Sequence, residues 1–161
     1  MRFILIACLL YAGSLFSEEK AILEIRKYYQ KTEQNLKTYT QAKIDYTHKK
    51  SHVDETDLLD EEIYFFSNKK EIVKIVGDIV FDCSGSVNEL TYKNKELIFV
   101  YSYKWSGCNR EGKSDESRYY FQNHKLIQWK VGEEEVAKLK WNQKEKELLK
   151  LSVFYLKQFP K

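Results

Sequence analysis

Residues 92–100 read "YKNKELIFV". The same plan recurs at residues 66–76, "FSNKKEIVKIV", and at residues 121–129, "FQNHKLIQW". Each copy has an aromatic residue, a polar residue, an asparagine, one or more polar residues and then an apolar pair. The copies start at Phe66, Tyr92 and Phe121, which makes an irregular repeat with steps of 26 and 29 residues. Asparagine tolerates the left-handed backbone of a two-residue turn, and the flanks are rich in strand formers, so each copy predicts a β-hairpin. The glycine that usually follows the asparagine is replaced by Lys69, Lys95 and His124. Upstream, "TYTQAKIDYTH" at residues 38–48 alternates, with Ala42, Ile44 and Tyr46 on one side. Three hairpins and this strand predict about seven antiparallel strands.

Helical patterns flank the hairpins. In residues 18–36, Ile22, Ile25, Tyr29 and Leu36 fall on one face at helical spacing, and Glu18 and Glu19 suit the first turn. In residues 133–159, Trp141, Leu148, Leu151, Tyr155 and Phe159 recur every three to four positions, and Pro160 follows as a stop. The fold class expected is α+β: an N-terminal helix, an antiparallel meander of about seven strands, and a C-terminal helix.

The first residues, "MRFILIACLLYAGSLFSEEK", have one arginine, an apolar run, small residues and then charge from Glu18 onward. This is the layout of a secretory signal peptide at residues 1–17, cleaved between residues 14 and 17. The alternative is an N-terminal core helix. "LIAC" at residues 5–8 matches a lipobox in letters, but its hydrophobic segment is shorter than the roughly 7–15 residues expected. Residues 18–161 then form one exported domain, periplasmic or secreted, without a transmembrane segment. Removing the leader takes the formal net charge from +3 to +2, because the leader holds one arginine and no acid. Acids and lysines are interspersed and arginines are few, which argues against nucleic acid as a partner.

Cleavage also leaves two cysteines, Cys83 and Cys108. An even count in an exported chain favours a disulfide; two buried thiols are the alternative. Both cysteines lie in the return connections, residues 82–87 and 106–117, at the end of the sheet opposite the asparagine turns. Two strands separated by a third are roughly 10 Å apart, so the loops must lean together to close the bridge.

Overlaying the hairpins assigns each strand residue to a face. One face carries Val73, Ile75, Ile98, Val100, Ile127, Trp129 and Val131 and is expected to be the core beneath the helices. The other carries Lys74, Leu97, Phe99, Tyr101, Tyr103, Trp105, Leu126, Gln128 and Lys130. Rings with polar tips suit a surface that binds sugars or peptides. The candidate ligand-binding residues are therefore Phe99, Tyr101, Tyr103, Trp105, Lys74, Gln128 and Lys130. The competing readings are cross-strand aromatic pairs that only stabilise the sheet, or a helix covering this face. A slip of one residue would exchange the faces.

Catalytic signals are absent. His48 and His52 precede Asp54, Asp57, Asp60 and Glu61 in a polar loop whose spacing matches no zinc motif. The same carboxylates offer a glycosidase-like pair only in the sense that any acidic loop does. There is no P-loop, no dinucleotide fingerprint and no nucleophile elbow. No cofactor, metal or catalytic residue is expected. The segments "YKNKELIFV" and "RYYFQNHKLIQW" are similar to the tyrosine-rich hairpin repeats of bacterial MORN-variant proteins, though without their turn glycines. The order of helix, hairpins and helix also resembles exported bacterial proteins of unassigned function. That resemblance implies a scaffold or binding role. The expected function is a small exported interaction protein, not an enzyme, engaging a peptide, glycan or protein partner. The alternatives are a secreted enzyme inhibitor and a hydrolase built on the carboxylates at residues 54–62.

Overall fold

The computed structural model describes residues 2–45, 60–69, 71–81, 83–110, 112–113 and 116–160, with side chains from residue 18 onward apart from Lys113. Tyr46, His48, His52, Asp54 and Asp57 lie outside the described residues. Helix α1 (Arg2–Gln34) is followed by strands β1 (Thr40–Asp45), β2 (Asp60–Asn68), β3 (Glu71–Phe81), β4 (Ser84–Lys93) and β5 (Glu96–Ser106). Then come β6 (Gly112–Lys113), β7 (Ser117–Gln122), β8 (Lys125–Val131), β9 (Glu134–Glu135) and helix α2 (Trp141–Gln158). The strands form one nine-stranded sheet in the order β1-β2-β3-β4-β5-β7-β8-β9, with β6 added on β5. The pairings are antiparallel, so the fold is the α+β meander expected. Two short strands, β6 and β9, exceed the expected seven; a two-residue strand shows no alternation. Glu134 and Glu135, expected in the last helix, instead pair with Val131 and Lys130.

Two of the three turns are as read. Lys93 pairs with Glu96 over Asn94 (φ 53°) and Lys95 (φ 68°). Gln122 pairs with Lys125 over Asn123 (φ 50°) and His124 (φ 61°). In the first hairpin Asn68 is itself paired, with Glu71, so the turn falls one residue later and Lys69 takes φ 48°.

A bulge follows every turn, and it corrects the assignment of faces. Thr91 opposes Phe99 and Tyr92 opposes Leu97, which leaves Ile98 unpaired. Val73 and Ile127 are left over in the same way in the other two hairpins. The extra residue breaks strict alternation. Leu97 and Leu126 therefore turn into the main core, while Ile98 and Ile127 pack on the opposite side with Ile25, Phe99 and Tyr120. Ile75, Val100 and Trp129 keep the face expected for them.

The main core lies between the sheet and α2. Phe65, Ile75, Leu90, Val100, Tyr119 and Trp129 form a row, each paired with the next across six strands. Trp141, Leu148 and Tyr155 of α2 close over it. Tyr155 lies directly on the backbone of β3, and only glycine fits beneath it: a Cβ at Gly77 would sit 2.1 Å from the tyrosine oxygen. Helix α1 packs on the other face, so the helices sandwich the sheet instead of sharing one side.

The cysteines are bridged, Cys83 to Cys108, with Cα atoms 4.3 Å apart. The expected gap of one strand vanishes because the β3–β4 turn is tight. Phe81 pairs with Ser84, and Ser84 pairs with Ser106, so Cys83 lies at the start of β4, next to the end of β5. Among the described residues no helix is long and apolar enough to cross a membrane.

Candidate functional site

The face beneath α1 is built in rows, because paired residues on neighbouring strands point the same way. Nearest the asparagine turns runs Phe66, Lys74, Thr91, Phe99, Tyr120 and Gln128. The next row is Tyr64, Val76, Glu89, Tyr101, Arg118 and Lys130. Beyond it lie Glu62, Asp78, Val87 and Tyr103, then Val80, Gly85 and Trp105 toward the disulfide.

Helix α1 crosses the first row. Its Ile25 is buried against Phe99 and Tyr120, and the Tyr29 ring meets Phe99 at 4.7 Å between centroids. Lys74 rises from the sheet into this joint, only 4% exposed, and is gripped by Glu33 Oε1 at 2.6 Å and Glu89 Oε2 at 2.7 Å. A buried ammonium is tolerable only with such partners. Tyr29 donates its hydroxyl to Glu89 at 3.4 Å. Burial, with Glu89 and Glu33 nearby, pushes the Tyr29 pKa upward, so this phenol stays protonated.

Along the flank of α1 that faces the second row opens a cleft of about 470 Å³. Its walls are Arg26, Tyr29 and Gln30 from α1, Phe99 and Tyr101 from β5, Glu116 just before β7, and Arg118 and Tyr120 from β7. Small-molecule sites span roughly 300–1,000 Å³. Arg26 donates to the Tyr120 hydroxyl at 3.2 Å and stacks over that ring at 5.4 Å. Arg118 donates to the Gly132 carbonyl and, at 2.8 Å, to Glu133 Oε1. That hydrogen bond holds the Glu133 carboxyl below the usual range.

The sequence candidates separate into two groups. Phe99, Trp105 and Lys74 are buried, so they support the face rather than present it. Tyr101, Tyr103, Gln128 and Lys130 are half-buried and remain on the surface. Trp105 packs on Gly85, where a Cβ would come within 2.5 Å of the indole, and Arg110 stacks over the ring at 4.5 Å. Arg110 also bonds Asp78 at 3.0 Å. Arg26, Tyr29, Arg118 and Tyr120 line the cleft although none was among the candidate binding residues. The signal for α1 was present: residues 26, 29 and 33 fall on one helical face.

Of the acidic residues at 54–62, Asp54 and Asp57 lie outside the described residues, and Glu61 is set apart from Asp60 and Glu62 by the alternation of β2. Glu61 is wholly buried on the α2 side, where burial and the nearby Glu61 carboxylate push the Tyr155 pKa upward. Glu62 points to the opposite face and takes Lys43 at 2.6 Å and the Tyr64 hydroxyl. Glu61 and Glu62, on opposite faces of the sheet, therefore cannot flank one bond.

Comparisons with protein families, with characterised proteins and with solved structures return no match to this chain.

Proposed function

We propose that this chain is an exported binding protein that takes a peptide, glycan or protein partner at the cleft between α1 and the sheet. One observation carries the reading: aromatic rings, two guanidinium groups and an amide converge on a single concavity of about 470 Å³. Tyrosine and arginine give large contact area together with hydrogen bonds, the combination that recognition surfaces favour. The rest of the face is rigidly supported. Lys74, Trp105 and the disulfide fix the strands on either side, so the surface is preorganised and little ordering cost falls on binding. Export is supported by the leader-like first residues and by the disulfide, which persists in oxidising compartments.

The test is to profile the oxidised mature protein on glycan and peptide arrays beside Tyr101→Ala. Retention of a restricted set of probes, lost in the variant, is the expected result. An empty profile on both arrays, or equal retention by the variant, would count against the cleft.

A further inference from the structure

We propose that the outer face of α2 docks the protein on an anionic lipid surface, whatever the cleft binds. Helix geometry sets the docking ridge. With about 3.6 residues per turn, Lys146, Lys150 and Lys157 fall within roughly 40° of arc and span about 16 Å. They point away from Trp141, Leu148, Ser152 and Tyr155, the buried side of the helix, and all three are exposed. Val153, 51% exposed, follows Lys150 on the same side, so one apolar side chain stands among the cations.

None of the three lysines has a carboxylate within ion-pair distance among the described residues. The two acids of α2 lie on its flanks and are engaged. Glu145 takes Lys125 at 3.4 Å and the Leu126 amide at 2.8 Å; Glu147 takes Lys144 at 2.7 Å and Gln143 at 2.9 Å. A salt-bridged, merely solvated face sets glutamate one turn before lysine. Here Lys146 stands one turn before Lys150, a pair that repels. Helix α1 supplies the contrast: its exposed Lys20, Lys27 and Lys31 have the exposed Glu24 among them.

Shape selects the partner. The outside of a helix is convex, and the clefts beside α1 take no residue from α2. A convex row of ammonium groups, without the forked donors of arginine, has nothing to enclose or orient a discrete ligand. It fits an extended plane of phosphate, and the exposed valine suits the boundary beneath the headgroups. Because α1 and α2 lie on opposite faces of the sheet, docking through α2 leaves the cleft turned away from the lipid.

The experiment is cosedimentation of the oxidised mature chain with vesicles of phosphatidylcholine, alone or mixed equally with phosphatidylglycerol, at low ionic strength. The mixed vesicles should bind at least about tenfold more tightly than the neutral ones, and salt of about 0.5 M should release the protein. Each lysine near such a surface contributes a factor of about five, so Lys146→Gln, Lys150→Gln and Lys157→Gln together should weaken binding about a hundredfold. The urea midpoint of that variant should not fall, since a repelling pair is removed. Lys20→Gln, Lys27→Gln and Lys31→Gln together make the same change of net charge on α1 and should weaken binding less than about fivefold. No binding of the mixed vesicles, equal affinity for the neutral ones, or equal weakening by the two triple variants overturns the inference. Tighter binding of soluble polyglutamate than of the mixed vesicles overturns the lipid assignment.

Discussion

Trp105→Ala tests whether the aromatic row is divided between support and surface. Truncating a buried tryptophan costs about 3–5 kcal/mol, depending on how far the site can collapse. Here it can collapse little, because one wall is the bare backbone of Gly85 and the strands are pinned by the adjacent disulfide. The Arg110 guanidinium stacks over the ring, but its side chain is 48% exposed, so this contact contributes only about 0.5–1 kcal/mol. One effect works the other way. The indole Nε1 is buried without a hydrogen-bond partner among the described residues, and removing it relieves a penalty of about 1–3 kcal/mol. The expected net loss is about 3 kcal/mol. Tyr103→Ala, two residues earlier and half-buried, removes a cross-strand contact with Val87 and should cost about 1 kcal/mol or less. Urea unfolding of oxidised protein, followed by far-ultraviolet circular dichroism, measures both. A loss under about 1 kcal/mol for Trp105→Ala, or equal losses for the two variants, would refute the division.

Gly77→Ala should destabilise by about 2–4 kcal/mol, since its Cβ displaces the wholly buried Tyr155 from Glu61. Gly132→Ala, at φ 55° in open space, should cost only about 1–2 kcal/mol, and urea midpoints that rank the two the other way would be inconsistent with the packing described. Cys83→Ser with Cys108→Ser should lower stability by about 2–4 kcal/mol, and alkylation of oxidised protein followed by mass spectrometry should find neither thiol free. Burial pushes the Tyr92 and Tyr155 pKa values upward, so the native state keeps protons that the unfolded chain releases above about pH 10. Stability should hold below that pH and fall above it; Tyr92→Phe should flatten the fall, and an unchanged alkaline slope would exclude burial of this phenol.

The order of the seven longer strands was legible because asparagine turns punctuate a long alternating pattern. The bulges were not, since an extra residue such as Ile98 is apolar like its neighbours and leaves no mark in composition. That one residue per hairpin moved Leu97 and Leu126 to the other face and obscured the placement of α1. The disulfide was legible from cysteine count, but its easy closure depended on the pairing of Phe81 with Ser84, which brings Cys83 beside the end of β5. The position of Tyr101 and Tyr103 on the face of the sheet under α1 was legible because they alternate along β5. Arg26 and Arg118 were missed because a site built by two elements distant in sequence shows itself only once helix and sheet are docked.

The most direct measurement is backbone amide chemical-shift mapping of the oxidised mature chain, titrated with the array probe retained most strongly. The account predicts shifts confined to residues 26–30, 99–103 and 116–120, with α2 unaffected and with the same probe lost in Tyr101→Ala at an unchanged urea midpoint. Shifts centred on α2, or on the asparagine turns, would contradict it.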